Sequence, residues 1–91
     1  MKKTGRLVSG GVEAEARQAL NNLSTILEAA GSSLLDVLKV TVYVRDIDEY
    51  ALINQVYSEF FKEKPPARAV IQGALPAEAS VEFDAIAVIS Q

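Results

Sequence analysis

PPARAVIQ, at residues 65–72, is the stretch around which we expect the fold to be organised. Its two prolines end the preceding element, because proline lacks an amide proton and fixes its own φ angle. They also hold the chain extended, so residues 67–72 predict a short apolar strand that contains Arg68. An arginine at a strand start is ordinarily a surface or ion-pair residue. The alternative is an anion site, since a guanidinium is a rigid fork of donors that matches a carboxylate.

Residues 46–62, directly before the prolines, predict a helix. Asp46 can cap it, and Glu49 three residues later completes a capping box. The buried face is marked by apolar and aromatic side chains at helical spacing: Tyr50, Ile53, Val56, Tyr57 and Phe60. Asn54 lies mid-helix, where asparagine is a mediocre helix former and ordinarily a surface residue.

Two further elements precede this helix. Residues 37–45 alternate as a strand does, with an apolar face of Leu38, Val40, Val42 and Val44 and a half-polar face of Lys39, Thr41, Tyr43 and Arg45. Residues 12–30 show the apolar periodicity of an amphipathic helix, and Gly31 suits its left-handed stop. Residues 6–8 indicate a brief strand at most.

After PPARAVIQ come a loop at residues 73–80 and a last strand at residues 81–89. The order helix, strand, helix, strand, strand predicts an α+β domain with both helices on one face of the sheet. The other face is half apolar, and we expect it to contain Tyr43, Val70, Ile86 and Val88. Because helices can cover one face only, this second face predicts an oligomer, most simply a trimer.

Composition narrows the function classes. The 91 residues suffice for one domain, residues 1–91, and the net charge of −3 without a basic stripe argues against nucleic-acid binding. The chain has no cysteine and no histidine, which excludes disulfides, thiolate nucleophiles, Ser-His triads and His-ligated zinc. No apolar run follows Met1, so we expect a soluble, cytoplasmic protein without membrane association.

The chemical groups that remain are Arg68, carboxylates, hydroxyls, tyrosines and Asn54. Arg68 could pair with Glu82 or Asp84 if their strands are neighbours. Such a pair can be a structural salt bridge, or the arginine can hold a substrate carboxylate while the acid positions a water. The spacing alone favours the salt bridge.

Several segments together, in this order and spacing, resemble one family. They are AAGSS at 29–33, VLKVTVYV at 37–44, VYSEFF at 56–61, PAR at 66–68 and VEFDAIA at 81–87. The family is that of the reactive intermediate (enamine/imine) deaminases, called RidA and also labelled L-PSP endoribonuclease or YjgF-like. The resemblance runs from about Thr4 to about Ile89.

The resemblance implies a chorismate-mutase-like fold and a homotrimer with sites between subunits. It implies hydrolysis of short-chain 2-imino acids to 2-keto acids and ammonia, with no cofactor and no metal. Arg68 matches the arginine that binds the substrate carboxylate, Glu82 the acid that places the attacking water, and Asn54 an asparagine lining the cleft. Val70 joins Arg68 and Asn54 as a substrate-binding residue.

Two departures from the family pattern lead us to expect reduced activity. The chain begins where the pattern reads Thr-Gly-x-Leu-Val, without the two N-terminal strands whose tyrosine and Ser-Gly-Gln motif line the cleft. The stretch from Arg68 to Pro76 is one residue shorter than usual. A non-catalytic trimer that binds small carboxylates, or has a regulatory or chaperone-like role, is the main alternative. A ribonuclease ranks last, because the chain is acidic.

Overall fold

The structure, a computed structural model, describes residues 11–62 and 65–89. Its helices and strands follow the predicted order: α1 (Gly11–Ala29), β1 (Val37–Val44), α2 (Tyr50–Phe60), β2 (Ala67–Gln72) and β3 (Val81–Ala87). The predicted α+β arrangement of two helices on a mixed sheet is confirmed. The brief strand expected at residues 6–8 lies outside the described residues.

The end of α1 shows how the sequence sets an element boundary. Gly31 adopts a φ of +86°, a conformation that glycine reaches without steric cost. Its amide donates to the carbonyl of Glu28, and the amide of Ser32 donates to that of Leu27 at 2.8 Å. These two bonds form a Schellman motif, which satisfies carbonyls that the helix would otherwise leave unpaired. The chain then turns into β1, as predicted.

The sheet has the strand order β2-β1-β3, with β2 parallel and β3 antiparallel to the central strand. Residues that are partners in a regular ladder project from the same face of the sheet. The helix-side face therefore carries Val40, Val42, Val44, Arg68, Val70, Gln72, Val81, Phe83 and Ala85. The open face carries Lys39, Thr41, Tyr43, Ala67, Ala69, Ile71, Glu82, Asp84 and Ile86.

The core lies between the helix-side face and the two helices. Its largest fully buried side chains come from both helices and from the central strand β1: Leu20, Val40, Val42, Val44, Ile53 and Val56. The rings of Tyr57 and Phe61 extend the core toward the end of α2, and their centroids are 4.7 Å apart. Branched aliphatic side chains on β1 fill the space under α2, as the alternation of that strand predicted.

Two predictions about strand faces are wrong. Leu38 was expected on the packed face of β1 but is 57% exposed, because a register irregularity between Val37 and Lys39 puts Val37 in the core instead. Val70 was expected on the open face but pairs with Val42 on the helix side. Ile71, next to it in sequence, occupies the open face and is 47% exposed.

The open face keeps substantial apolar surface. Ile71 and Ile86 lie on either side of β1 and are 47% and 62% exposed.

The part of the chain that the structure describes contains no helix with the length and apolar character needed to cross a membrane.

Candidate functional site

Arg68 lies on the helix-side face of the edge strand β2, opposite α2. Its Nη1 donates a hydrogen bond to Oδ1 of Asn54 at 2.5 Å. Its guanidinium carbon lies 4.5 Å from the centroid of the Tyr57 ring and 5.7 Å from that of Tyr50. The structure therefore brings together two of the predicted site residues, Arg68 and Asn54.

Within residues 11–62 and 65–89, the groups that contact the Arg68 guanidinium are all neutral. Among the described residues the arginine forms no ion pair, and the hydrogen bond to Asn54 is its one side-chain hydrogen bond. The structural salt bridge that the sequence favoured for Arg68 is absent from residues 11–62 and 65–89, which place neither Glu82 nor Asp84 beside it. An exposed guanidinium that forms no ion pair with the described part of the chain can accept a carboxylate from outside it.

Three side chains of α2 contact Arg68, and their spacing follows the helical repeat. Tyr50, Asn54 and Tyr57 are spaced i, i+4 and i+7, which places them on one face of the helix. Sequence reasoning assigned both tyrosines to the core and did not connect them with Arg68. The Tyr-x3-Asn-x2-Tyr spacing, together with an arginine on the strand that follows, is the signal that could have connected the tyrosines with Arg68.

Tyr57 is the most enclosed of these side chains, with 3% of its surface exposed. Its ring also stacks on Phe83, with the centroids 6.3 Å apart. Burial raises the pKa of the Tyr57 phenol; the positive charge of Arg68 opposes this shift and Tyr50 adds to it. The phenol is therefore neutral at physiological pH, and among described residues its hydroxyl is buried without a hydrogen-bond partner.

Glu82 lies elsewhere. It pairs with Tyr43 on the open face of β3, whereas Arg68 pairs with Val40 on the helix side of β2. The two strands are not neighbours, because β1 runs between them. The predicted pairing of Arg68 with Glu82 or Asp84 across adjacent strands is therefore wrong within one chain, since sequence alone did not reveal the strand order.

Val70 and Asp84 complete the sequence-predicted set. Val70 lies two residues after Arg68 on the same face of β2 and is 37% exposed, so it borders the same region as the guanidinium. Asp84 pairs with Thr41 on the open face, next to Glu82 along β3. In residues 11–62 and 65–89 no group of three or more carboxylate, histidine or cysteine side chains could hold a metal ion.

The loop between β2 and β3 is fastened by two charged side chains. Arg45 donates from Nε to the carbonyl of Ala79 at 2.8 Å and from Nη2 to that of Leu75 at 2.6 Å. The Glu15 carboxylate accepts from the amide of Ser80 at 2.7 Å. These bonds fix the start of β3, and with it the position of Glu82.

Comparison with known proteins places this geometry in a family. The sequence model of the family named Endoribonuclease L-PSP matches residues 1–89. The chain belongs to this family. A RutC family protein from Pyrococcus horikoshii is 48% identical over 86 residues, which are 93% of this chain and 68% of that protein.

Two further relatives of the family bear on its chemistry. The human 2-iminobutanoate/2-iminopropanoate deaminase is 45% identical over 86 residues, covering 93% of this chain and 63% of the deaminase. The crystal structure of E. coli TdcF with bound serine is 39% identical with a TM-score of 0.85, covering 91% of this chain and 68% of TdcF. The chain thus spans about two thirds of the length of these relatives, and the RidA-like fold and family are confirmed.

Proposed function

We propose that the protein hydrolyses short-chain 2-imino acids to 2-keto acids and ammonia. In this reaction water adds to the iminium carbon, the carbon–nitrogen bond breaks, and the nitrogen leaves as ammonium. No electron is transferred, so the reaction needs no redox cofactor. The names of the related deaminases support this choice of substrate class.

The observation that carries the proposal is the guanidinium of Arg68, which forms no ion pair with any residue that the structure describes. Every 2-imino acid has a carboxylate beside the reacting carbon, and a guanidinium binds a carboxylate through two parallel hydrogen bonds. Asn54 occupies one donor of Nη1 and leaves the other N–H groups available. Asn54 and Val70 border the same region, and we assign all three residues to substrate binding.

We assign to Glu82 the placement of the attacking water. Because Glu82 and Arg68 lie on opposite faces and on opposite edge strands, one chain cannot bring both to a single substrate. A second copy must then supply the missing partner. A head-to-tail contact between the β2 edge of one copy and the open face of the next forms a ring when its rotation is a closed one. We propose a threefold rotation, and therefore a homotrimer with three such intersubunit sites.

The apolar surface of the open face supports this assembly. Ile71 and Ile86 remain largely exposed in the single chain, and their burial against a neighbouring copy would be favourable.

A turnover assay tests the proposed deaminase activity. A PLP-dependent dehydratase acting on threonine or serine generates the imino acid in place, and the release of 2-keto acid is followed against the spontaneous hydrolysis. We expect the protein to accelerate release and Arg68→Lys to lose most of the acceleration, because a point charge cannot replace the bidentate fork. Arg17→Lys is the matched control, since Arg17 pairs with Glu59 on the exposed helix surface.

Release at the spontaneous rate by the unmodified protein contradicts the deaminase assignment. Calorimetric titration with 2-oxobutanoate then distinguishes the alternatives. Binding without turnover identifies a non-catalytic carboxylate-binding protein, and absence of binding rejects the anion site itself.

A further inference from the structure

We propose that Tyr57, with Tyr50 beside it, is a positioning residue that orients the Arg68 guanidinium toward an incoming carboxylate. The carboxylate is that of the proposed substrate, so the inference rests on the proposed function in this respect. The orientation of the Arg68 guanidinium by Tyr57 does not depend on the proposed function.

The packing of Tyr57 makes it a rigid support for the guanidinium. Its ring is held by Phe61 at 4.7 Å and by Phe83 at 6.3 Å, one from the end of α2 and one from β3. The guanidinium carbon lies over this fixed ring, at 4.5 Å from its centroid. That distance is within the range of a cation–π interaction, in which the negative face of the ring attracts the cation.

The hydrogen bond to Asn54 adds a second restraint in a different direction. The Tyr57 ring restrains the guanidinium carbon, and the Asn54 acceptor restrains Nη1, so the group is held at two of its atoms. Tyr50, with its ring centroid 5.7 Å from the guanidinium carbon, contacts the arginine from the start of α2, one turn before Asn54. A long and otherwise flexible side chain is thereby ordered before the ligand arrives, which reduces the entropy lost on binding.

The neutral character of this support matters for binding. A carboxylate in place of the tyrosine would hold the arginine as firmly but would compete with the substrate for its charge. Burial keeps Tyr57 in the neutral phenol form, since its pKa is raised. Aromatic rings therefore fix the geometry of Arg68 and leave its charge available to an anion.

The experiment reads the orientation of Arg68 directly. The chain contains four arginines, so an NMR spectrum of arginine Nε–Hε groups has four expected signals, and Arg68→Lys identifies that of Arg68 by its loss. We expect the Arg68 signal to be displaced by the ring current of Tyr57. Tyr57→Phe should keep this displacement, because the ring remains, and Tyr57→Leu should move the signal toward those of freely rotating arginines.

Binding of 2-oxobutanoate is measured on the same variants. Tyr57→Phe should bind within about twofold of the unmodified protein, whereas Tyr57→Leu should bind about fivefold to thirtyfold more weakly. Phe60→Leu is the matched control, because it removes a ring of the same helix, and the cation–π contacts of Arg68 with described residues are those with Tyr50 and Tyr57. If Tyr57→Leu does not fold, Tyr50→Leu at a half-buried position should produce a smaller displacement and a smaller loss of affinity.

The outcomes separate this inference from the proposed function. An unmoved Arg68 signal and unchanged affinity in Tyr57→Leu overturn the positioning role, as do equal losses in Tyr57→Leu and Phe60→Leu. A ring-shifted signal that depends on Tyr57, in a protein that binds no 2-oxobutanoate and releases no 2-keto acid, supports the positioning of Arg68 and rejects the deaminase function.

Discussion

Removing the Tyr57 hydroxyl should stabilise the protein. The side chain is 3% exposed, and its hydroxyl is buried without a hydrogen-bond partner among the described residues. An unsatisfied buried polar group costs about 1–3 kcal/mol of folding free energy. In Tyr57→Phe that cost disappears, while the ring keeps its contacts with Phe61, Phe83 and Arg68.

We therefore expect Tyr57→Phe to raise the free energy of unfolding by roughly 1 kcal/mol, the lower end of that range, because the loss of the oxygen also leaves a small void. For a domain of this size the increase corresponds to about 4–8 °C in Tm. Urea denaturation at a fixed protein concentration measures it, and an unchanged slope with denaturant confirms that the stability itself has changed.

Tyr50→Phe is the control for this measurement. Tyr50 is half-buried, so loss of its hydroxyl should change the free energy of unfolding by no more than about 0.5 kcal/mol. A destabilisation of 1 kcal/mol or more in Tyr57→Phe would instead show that the hydroxyl has a hydrogen-bond partner in the native protein.

Three further predictions concern other features of the chain. Because burial raises the pKa of Tyr57 above its ordinary 10.0, the unfolded state loses this proton first, so the stability advantage of Tyr57→Phe in urea denaturation should widen as the pH rises above 10. The hydrogen bond from Arg17 lowers the pKa of the Glu59 carboxyl; Arg17→Ala should return that pKa toward its usual range in a carboxyl NMR titration, and an unchanged value would contradict the ion pair. Ala77 has a φ of 56°, a left-handed conformation that costs about 1–2 kcal/mol outside glycine, so Ala77→Gly should raise the Tm, and a lower Tm would show that backbone strain is not significant in this loop.

The elements of the fold were predictable from the sequence, because each has strong local signals. Apolar periodicity and Gly31 located α1 within one residue at each end, and the prolines at 65 and 66 located the start of β2. The alternation of valines in β1 identified the strand and most of its buried face. These features depend on residues close together in the chain, where geometry follows directly from spacing.

The relation between distant strands was not predictable in the same way. Strand order decides whether Arg68 and Glu82 are neighbours, and register decides whether Val70 or Ile71 is on the open face. Both depend on contacts far apart in sequence, and a change of one residue in register reverses the face. The register irregularity that turns Leu38 outward likewise has no local signal in an uninterrupted apolar alternation.

The candidate site was predictable in part. The position of Arg68 in the strand that follows the two prolines made it a candidate, and the family resemblance connected it with Asn54. The structure places these two side chains within hydrogen-bond distance. The roles of Arg68, Asn54, Val70 and Glu82 in binding and catalysis stay predictions. The aromatic support of Arg68 was missed because tyrosines at helical spacing are also what a core-facing helix contains.

Mixing of variant subunits shows whether one site takes Arg68 from one subunit and Glu82 from another. Arg68→Ala and Glu82→Gln chains are each expected to be inactive alone. When they are unfolded together and reassembled in equal amounts, random trimers should contain intact sites at about a quarter of the possible positions, because each site then needs one particular chain on either side. We predict recovery of imine hydrolysis to about that fraction of the unmodified rate. Mixed assemblies that form but stay as inactive as the separate variants would contradict a site shared between subunits.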